Sequence, residues 1–121
     1  INWKQKINSS LRSTLVDDII FAVSLEGYLI VINNQSGNII RITDIFNQMN
    51  KKKRSKIEPV GFIVGSKNIY LTTDHGRLMI IDIISGRTKS ILKIDNDKIS
   101  RPFVLNQNLY IIKENSIIRL N

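Results

Sequence analysis

Residues 69–91 read IYLTTDHGRLMIIDIISGRTKSI. An apolar run opens the stretch, and a polar turn ends at Gly76. A second apolar run follows, then a second turn ending at Gly86, then a third run. Residues 20–42 carry the same phrase as IFAVSLEGYLIVINNQSGNIIRI. Gly27 and Gly76 are 49 positions apart (76 − 27), as are Gly37 and Gly86 (86 − 37), and Phe21 answers Tyr70 at the same offset. Runs of this length, rich in Ile and Val and bounded by Gly, Asn, Asp and Ser, are strands joined by turns. The chain repeats one antiparallel β unit.

The apolar runs Leu29-Ile30-Val31-Ile32 and Leu78-Met79-Ile80-Ile81 do not alternate with polar residues. A strand solvated on one face alternates, so both faces of these strands are expected to be covered. No long helical pattern is available to cover them, which leaves other sheets. Tyr110 answers Tyr70 at an offset of 40 (110 − 70), so a third repeat follows the second. A period near forty with about four short strands per repeat predicts an all-β fold of antiparallel propeller blades.

The strands are expected at 12–17, 19–25, 28–33 and 38–43, then 60–64, 69–73, 77–83 and 87–94, then 102–105, 109–113 and 116–120. The corresponding blades are 11–45, 59–94 and an incomplete 101–120, with 1–7 (INWKQKI) as the fourth strand of a preceding blade. The segment 44–58 is an insertion. Within it Asp44 is placed to cap a short helical turn bearing Ile45, Phe46 and Met49 on one side. About three blades do not make a closed ring, and bare strand edges invite pairing. The chain is therefore expected to be the C-terminal part of a larger propeller, or to self-associate through unpaired edges.

The 121 residues carry a net charge of +8. Five of those charges, Lys51, Lys52, Lys53, Arg54 and Lys56, crowd into the insertion, leaving 8 − 5 = +3 for the rest. A nucleic-acid face spreads its cations among exposed aromatics, whereas here the aromatics sit in strands, so no nucleic acid is expected as partner. The tract is instead the expected contact with an anionic membrane surface or an acidic patch of a protein partner. The absence of cysteine excludes disulfides and thiolate metal sites. No apolar run approaches the roughly 18 residues of a membrane span. The chain does not open with Met, and a targeting segment is expected to have been removed.

The phrases LEGYLIVINNQSGNIIRI and DHGRLMIIDIISGRTKSI, with the earlier NWKQKI, resemble the pyrroloquinoline-quinone-like propeller repeat. Gly27 and Gly76 match its first turn glycine, Gly37 and Gly86 its second, and Asn33 and Asp82 its polar strand end. Trp3 matches its strand-end Trp, where Arg41 and Ser90 stand in the two complete repeats, and Ser116 replaces the first glycine in the third. The resemblance implies an eight-bladed propeller. Within that family, the phrase IEPVGFIVGSKNIYLTTDHGRLMIIDIISG after a short basic insertion resembles the periplasmic lipoproteins of the outer-membrane β-barrel assembly machinery. A non-catalytic scaffold that binds proteins of that machinery is thus expected, on the periplasmic face of the outer membrane, without cofactor or metal.

The same repeat serves quinone-dependent dehydrogenases, and a ligand-binding or sensor propeller is the other alternative. A dehydrogenase requires a Ca²⁺ site of carboxylates and amides, an Asp base and often a vicinal disulfide. The disulfide is impossible here, and no such site is legible. His75 is the sole histidine and sits in a turn where Glu26 and Asn115 are its equivalents, so it is expected to be structural. Asp17-Asp18 and Asp95-Asn96-Asp97 lack EF-hand spacing and are expected to be solvated turns. Trp3 is expected between blades, and Tyr70 and Tyr110, as equivalents of Phe21, in the core.

Overall fold

The computed structural model describes residues 11–47 and 57–120. Eleven strands are present among them: β1 (Thr14–Val16), β2 (Ile19–Val23), β3 (Tyr28–Asn33), β4 (Ile39–Asp44), β5 (Pro59–Val64), β6 (Asn68–Thr73), β7 (Arg77–Asp82), β8 (Thr88–Lys93), β9 (Phe103–Leu105), β10 (Asn108–Lys113) and β11 (Ser116–Arg119). They form three antiparallel meanders in chain order: β1-β2-β3-β4, β5-β6-β7-β8 and β9-β10-β11. The chain divides into two compact units, 1–56 and 57–121. The first sheet lies in one unit, and the other two sheets lie in the second.

The two four-stranded sheets superimpose in register as well as in sequence. Phe21 pairs with Val31 and Tyr70 with Ile80, each 49 residues on from its counterpart. The β3–β4 ladder slips between Val31 and Ile32, and the β7–β8 ladder slips between Ile80 and Ile81, again at equivalent places. Such a slip bends the outer strand and increases its twist.

Central strands are covered on both faces, as their unbroken apolar runs require. In β3, Leu29, Ile30, Val31 and Ile32 are all buried; in β7, Leu78, Met79 and Ile81 are. One face of the first sheet is the cluster Ala22, Ile30 and Ile32, with Ile20 and Tyr28 against it. Its equivalents in the second sheet, Leu71, Met79, Ile81 and Ile69, have essentially no exposure. The outer strands differ: Ile39, Ile40 and Ile42 on β4 and Leu92 on β8 are exposed.

Residues 45–47, directly after β4, form a turn. Asp44 Oδ1 accepts the Phe46 backbone N–H at 3.2 Å, which is the capping contact expected of it. Ile45 and Phe46 are fully buried. Met49 lies outside the described residues, as do Trp3 and the strand expected at 1–7.

The third sheet corrects one expectation. Ser116 does not stand in the place of the turn glycine; it begins β11 and pairs with Lys113. The loop is one residue shorter than its counterparts. Glu114 (φ 47°) and Asn115 (φ 66°) take the left-handed conformations themselves. Two consecutive positive φ values make the mirror-image turn whose twist suits a two-residue hairpin.

Candidate functional site

At one end of each four-stranded sheet, the hairpin between the second and third strands is built the same way. A buried hydroxyl closes it: Ser24 Oγ accepts the Tyr28 N–H at 3.1 Å, and Thr73 Oγ1 accepts the Arg77 N–H at 3.2 Å. Gly27 and Gly76 adopt φ of 98° and 71°. Their carbonyls receive the N–H groups of Ile45 (3.0 Å) and Ile94 (2.8 Å), on the chain leaving the fourth strand. That chain therefore crosses directly over the glycine. A Cβ on Gly27 would collide with the edge of the Phe46 ring, and one on Gly76 would meet the carbonyls of Asp95 and Asp97. Glycine is needed here for the backbone and for the space above it.

His75 lies in the second of these turns, half exposed, with Nδ1 2.7 Å from Asp74 Oδ1. The same Asp74 oxygen accepts the Glu58 N–H at 3.0 Å, so the carboxylate ties the entry of β5 to the turn. Arg77 Nη1 donates to the carbonyls of His75 (2.8 Å) and Asp95 (3.1 Å). These contacts fasten loops together, and the nearby Thr73 hydroxyl is taken up in accepting the His75 and Arg77 backbone N–H groups. Asp95 Oδ2 is buried without a hydrogen bond, with Lys113 Nζ 3.7 Å away as its charge partner. Among the described residues, no three His, Asp or Glu side chains converge as a metal centre would require.

The opposite ends of the same sheets share a second skeleton. Gly37 N–H donates to the Asn33 carbonyl, and Gly86 N–H to that of Asp82. Asn34 N–H reaches across to the Asp18 carbonyl, and Ile83 N–H to that of Lys67. The Ser36 and Ser85 N–H groups donate to Asn33 Oδ1 (3.1 Å) and Asp82 Oδ2 (2.8 Å). The Ser36 and Ser85 hydroxyls in turn accept from the N–H groups of Asn38 and Arg87. The polar strand ends Asn33 and Asp82 are thus turn caps. Ser85 holds the Asp82 carboxyl below its ordinary value, through its backbone N–H first and its hydroxyl second, with Lys89 adding charge. The side chains displayed on the two skeletons differ: Asp18, Gln35 and Asn38 in the first sheet, Lys67, Ile84 and Arg87 in the second.

Within the second unit, a cavity of about 320 Å³ separates the β5–β8 sheet from the three-stranded sheet. Tyr70, Leu78, Ile80 and Leu92 line one side, and Val104, Leu109 and Leu120 the other. Tyr70 is consequently half-buried where its equivalent Phe21 is fully buried. Tyr110 is also half-buried and stacks on Phe103, with centroids 5.7 Å apart at 21°. The basic tract Lys51, Lys52, Lys53, Arg54 and Lys56 lies outside the described residues.

No protein-family model matches the chain, and no curated protein matches it. Solved structures do. BamB from Moraxella catarrhalis aligns with a TM-score of 0.70 and 14% identity, over 94% of this chain and 32% of that one. The Cps50 (Swd1) β-propeller domain of Myceliophteria thermophila gives 0.64 and 16%, over 79% and 32%. Quinohemoprotein alcohol dehydrogenase from Comamonas testosteroni gives 0.64 and 18%, over 87% and 17%. The sheets are β-propeller blades. The chain spans about a third or less of the length of these three proteins, and identities this low establish the fold and no function.

Proposed function

We propose that this chain is a propeller scaffold for protein contacts, without catalysis of its own. One observation carries it. Two turn skeletons are bonded alike in successive sheets, yet they display unlike side chains. The fold requires the skeleton and leaves the display free, and a surface free to vary on a rigid frame is suited to recognition. The proposed setting, resting on the resemblance of its repeats, is the cell envelope, beside the machinery that inserts β-barrels into the outer membrane. The basic tract is its proposed contact with an anionic membrane surface or an acidic patch of that machinery.

Cross-linking of the full-length protein in its own cells tests this. Linkage to barrel-assembly subunits in the outer-membrane fraction is the expected result. Quinone- and Ca²⁺-dependent dye reduction by the purified protein would overturn it in favour of a dehydrogenase. Replacing Lys51, Lys52, Lys53, Arg54 and Lys56 by Ser is expected to weaken the association at low salt and change little at high salt, because screening already removes that attraction. Equal loss at every salt concentration would remove the tract from the contact.

A further inference from the structure

The β7–β8 turn of the second sheet displays a surface the fold does not require. Ile84 is 79% exposed at its tip, the most exposed of the large apolar side chains among the described residues. Lone exposed apolar residues are common and ordinarily mean nothing. Three features set this one apart. The turn under it is rigid: Asp82 Oδ2 and Ser85 Oγ each accept a backbone N–H within it, at 2.8 and 3.2 Å. The exposed cations Lys67, Arg87 and Lys89 belong to the same sheet end, where the Lys67 and Arg87 carbonyls accept the Ile83 and Asp82 N–H groups. The matching turn of the first sheet, on the same bonds, carries Gln35 at the tip with Asp18, Asn38 and Ile40 in place of the three cations.

The Lys89 ammonium and the Lys67 backbone are held in place. Lys89 Nζ donates to Asn68 Oδ1 at 2.8 Å, and the Lys67 carbonyl accepts the Ile83 N–H at 3.0 Å, joining the two turns of this end. A lipid surface draws on diffuse charge and several apolar side chains at once. One apolar side chain and three cations on one hydrogen-bonded sheet end suit a partner of complementary charge, with an apolar contact flanked by carboxylates. We infer that Lys67, Ile84, Arg87 and Lys89 form a docking point for an acidic polypeptide segment carrying an apolar residue. This inference uses none of the residues of the basic tract and goes beyond the scaffold function proposed above.

An amide-resolved NMR titration of the full chain with a Glu-Glu-Leu-Glu-Glu peptide tests it. Shifts are expected at residues 67–68 and 83–89. Lys67→Ser, Arg87→Ser and Lys89→Ser together should raise the Kd by about tenfold, and Ile84→Ser should raise it several-fold for this peptide but not for one with Ser in place of Leu. All four residues are exposed, so the variants should keep the wild-type spectrum elsewhere. Shifts confined to 51–56 would overturn the inference while leaving the basic tract as a contact. No peptide shift, with cation-dependent binding to phosphatidylcholine/phosphatidylserine vesicles, would overturn it in favour of a membrane surface. Shifts at this turn that survive all the substitutions would overturn it as well.

Discussion

Gly76 sits where three demands meet: a left-handed backbone, a carbonyl that receives the chain leaving β8, and no room for a side chain. Alanine there would collide with backbone carbonyls, which cannot swing aside as a side chain can. Gly76→Ala is expected to cost roughly 2–4 kcal/mol in chemical denaturation. Gly27→Ala should cost less, because its obstacle is the Phe46 ring. Asp82 makes a different prediction. Its pKa is lowered in the folded state, so its contribution is complete above the ordinary 3.8 and fades as pH falls through the folded value. Asn33 performs the same capping in the first sheet without a charge. Asp82→Asn should therefore leave the Tm nearly unchanged at neutral pH and flatten its fall below pH 3.8, read from melting curves across that range. An unaltered acid limb would mean that the carboxylate contributes nothing specific.

Among elements, the β10–β11 hairpin carries the clearest local conflict. Glu114 and Asn115 hold φ values of 47° and 66° that glycine adopts freely and glutamate poorly. The two-residue turn itself suits the strands it joins, so the strain is confined to side-chain identity. Glu114→Asn with Asn115→Gly is expected to stabilise the protein by about 1 kcal/mol, measured by denaturant midpoint at constant m-value. The central strands predict the reverse. Met79 and Ile81 have no exposure, and Ile81→Ala should cost about 2–5 kcal/mol through lost burial and the cavity left behind. Ile112→Ala on β10 should cost little, since that side chain is 45% exposed.

At the scale of the molecule, the three-stranded sheet of the second unit also exposes apolar side chains. Phe103 and Tyr110 stack on one of its faces, where Ile112 and Ile117 are cross-strand partners and Leu105 lies nearby. Leu105, Ile112 and Ile117 are 59%, 45% and 69% exposed. Exposed apolar side chains on one sheet face favour association. Static light scattering should show concentration-dependent growth in mass that Leu105→Ser with Ile117→Lys reduces. A constant monomer mass across the concentration range would count against it.

Strand positions were legible in the sequence to within one or two residues at most ends, because Ile- and Val-rich runs and their bounding turns are local signals. The repeat was legible too, since both glycine pairs mark positions where few other residues fit. The alignment of Ser116 failed because a one-residue loop deletion leaves no trace in strand composition. The Ile84 surface went unremarked because an isoleucine beside a strand reads as core until its exposure is known. By itself, the sequence determined the antiparallel meander, its period and the turn residues, since each depends on neighbours close along the chain. Tertiary structure alone decided that Phe46 closes over Gly27, that Tyr70 borders a cavity where Phe21 is sealed, and that Ile84 faces solvent. Those outcomes depend on which distant segments meet, and residue type does not specify that.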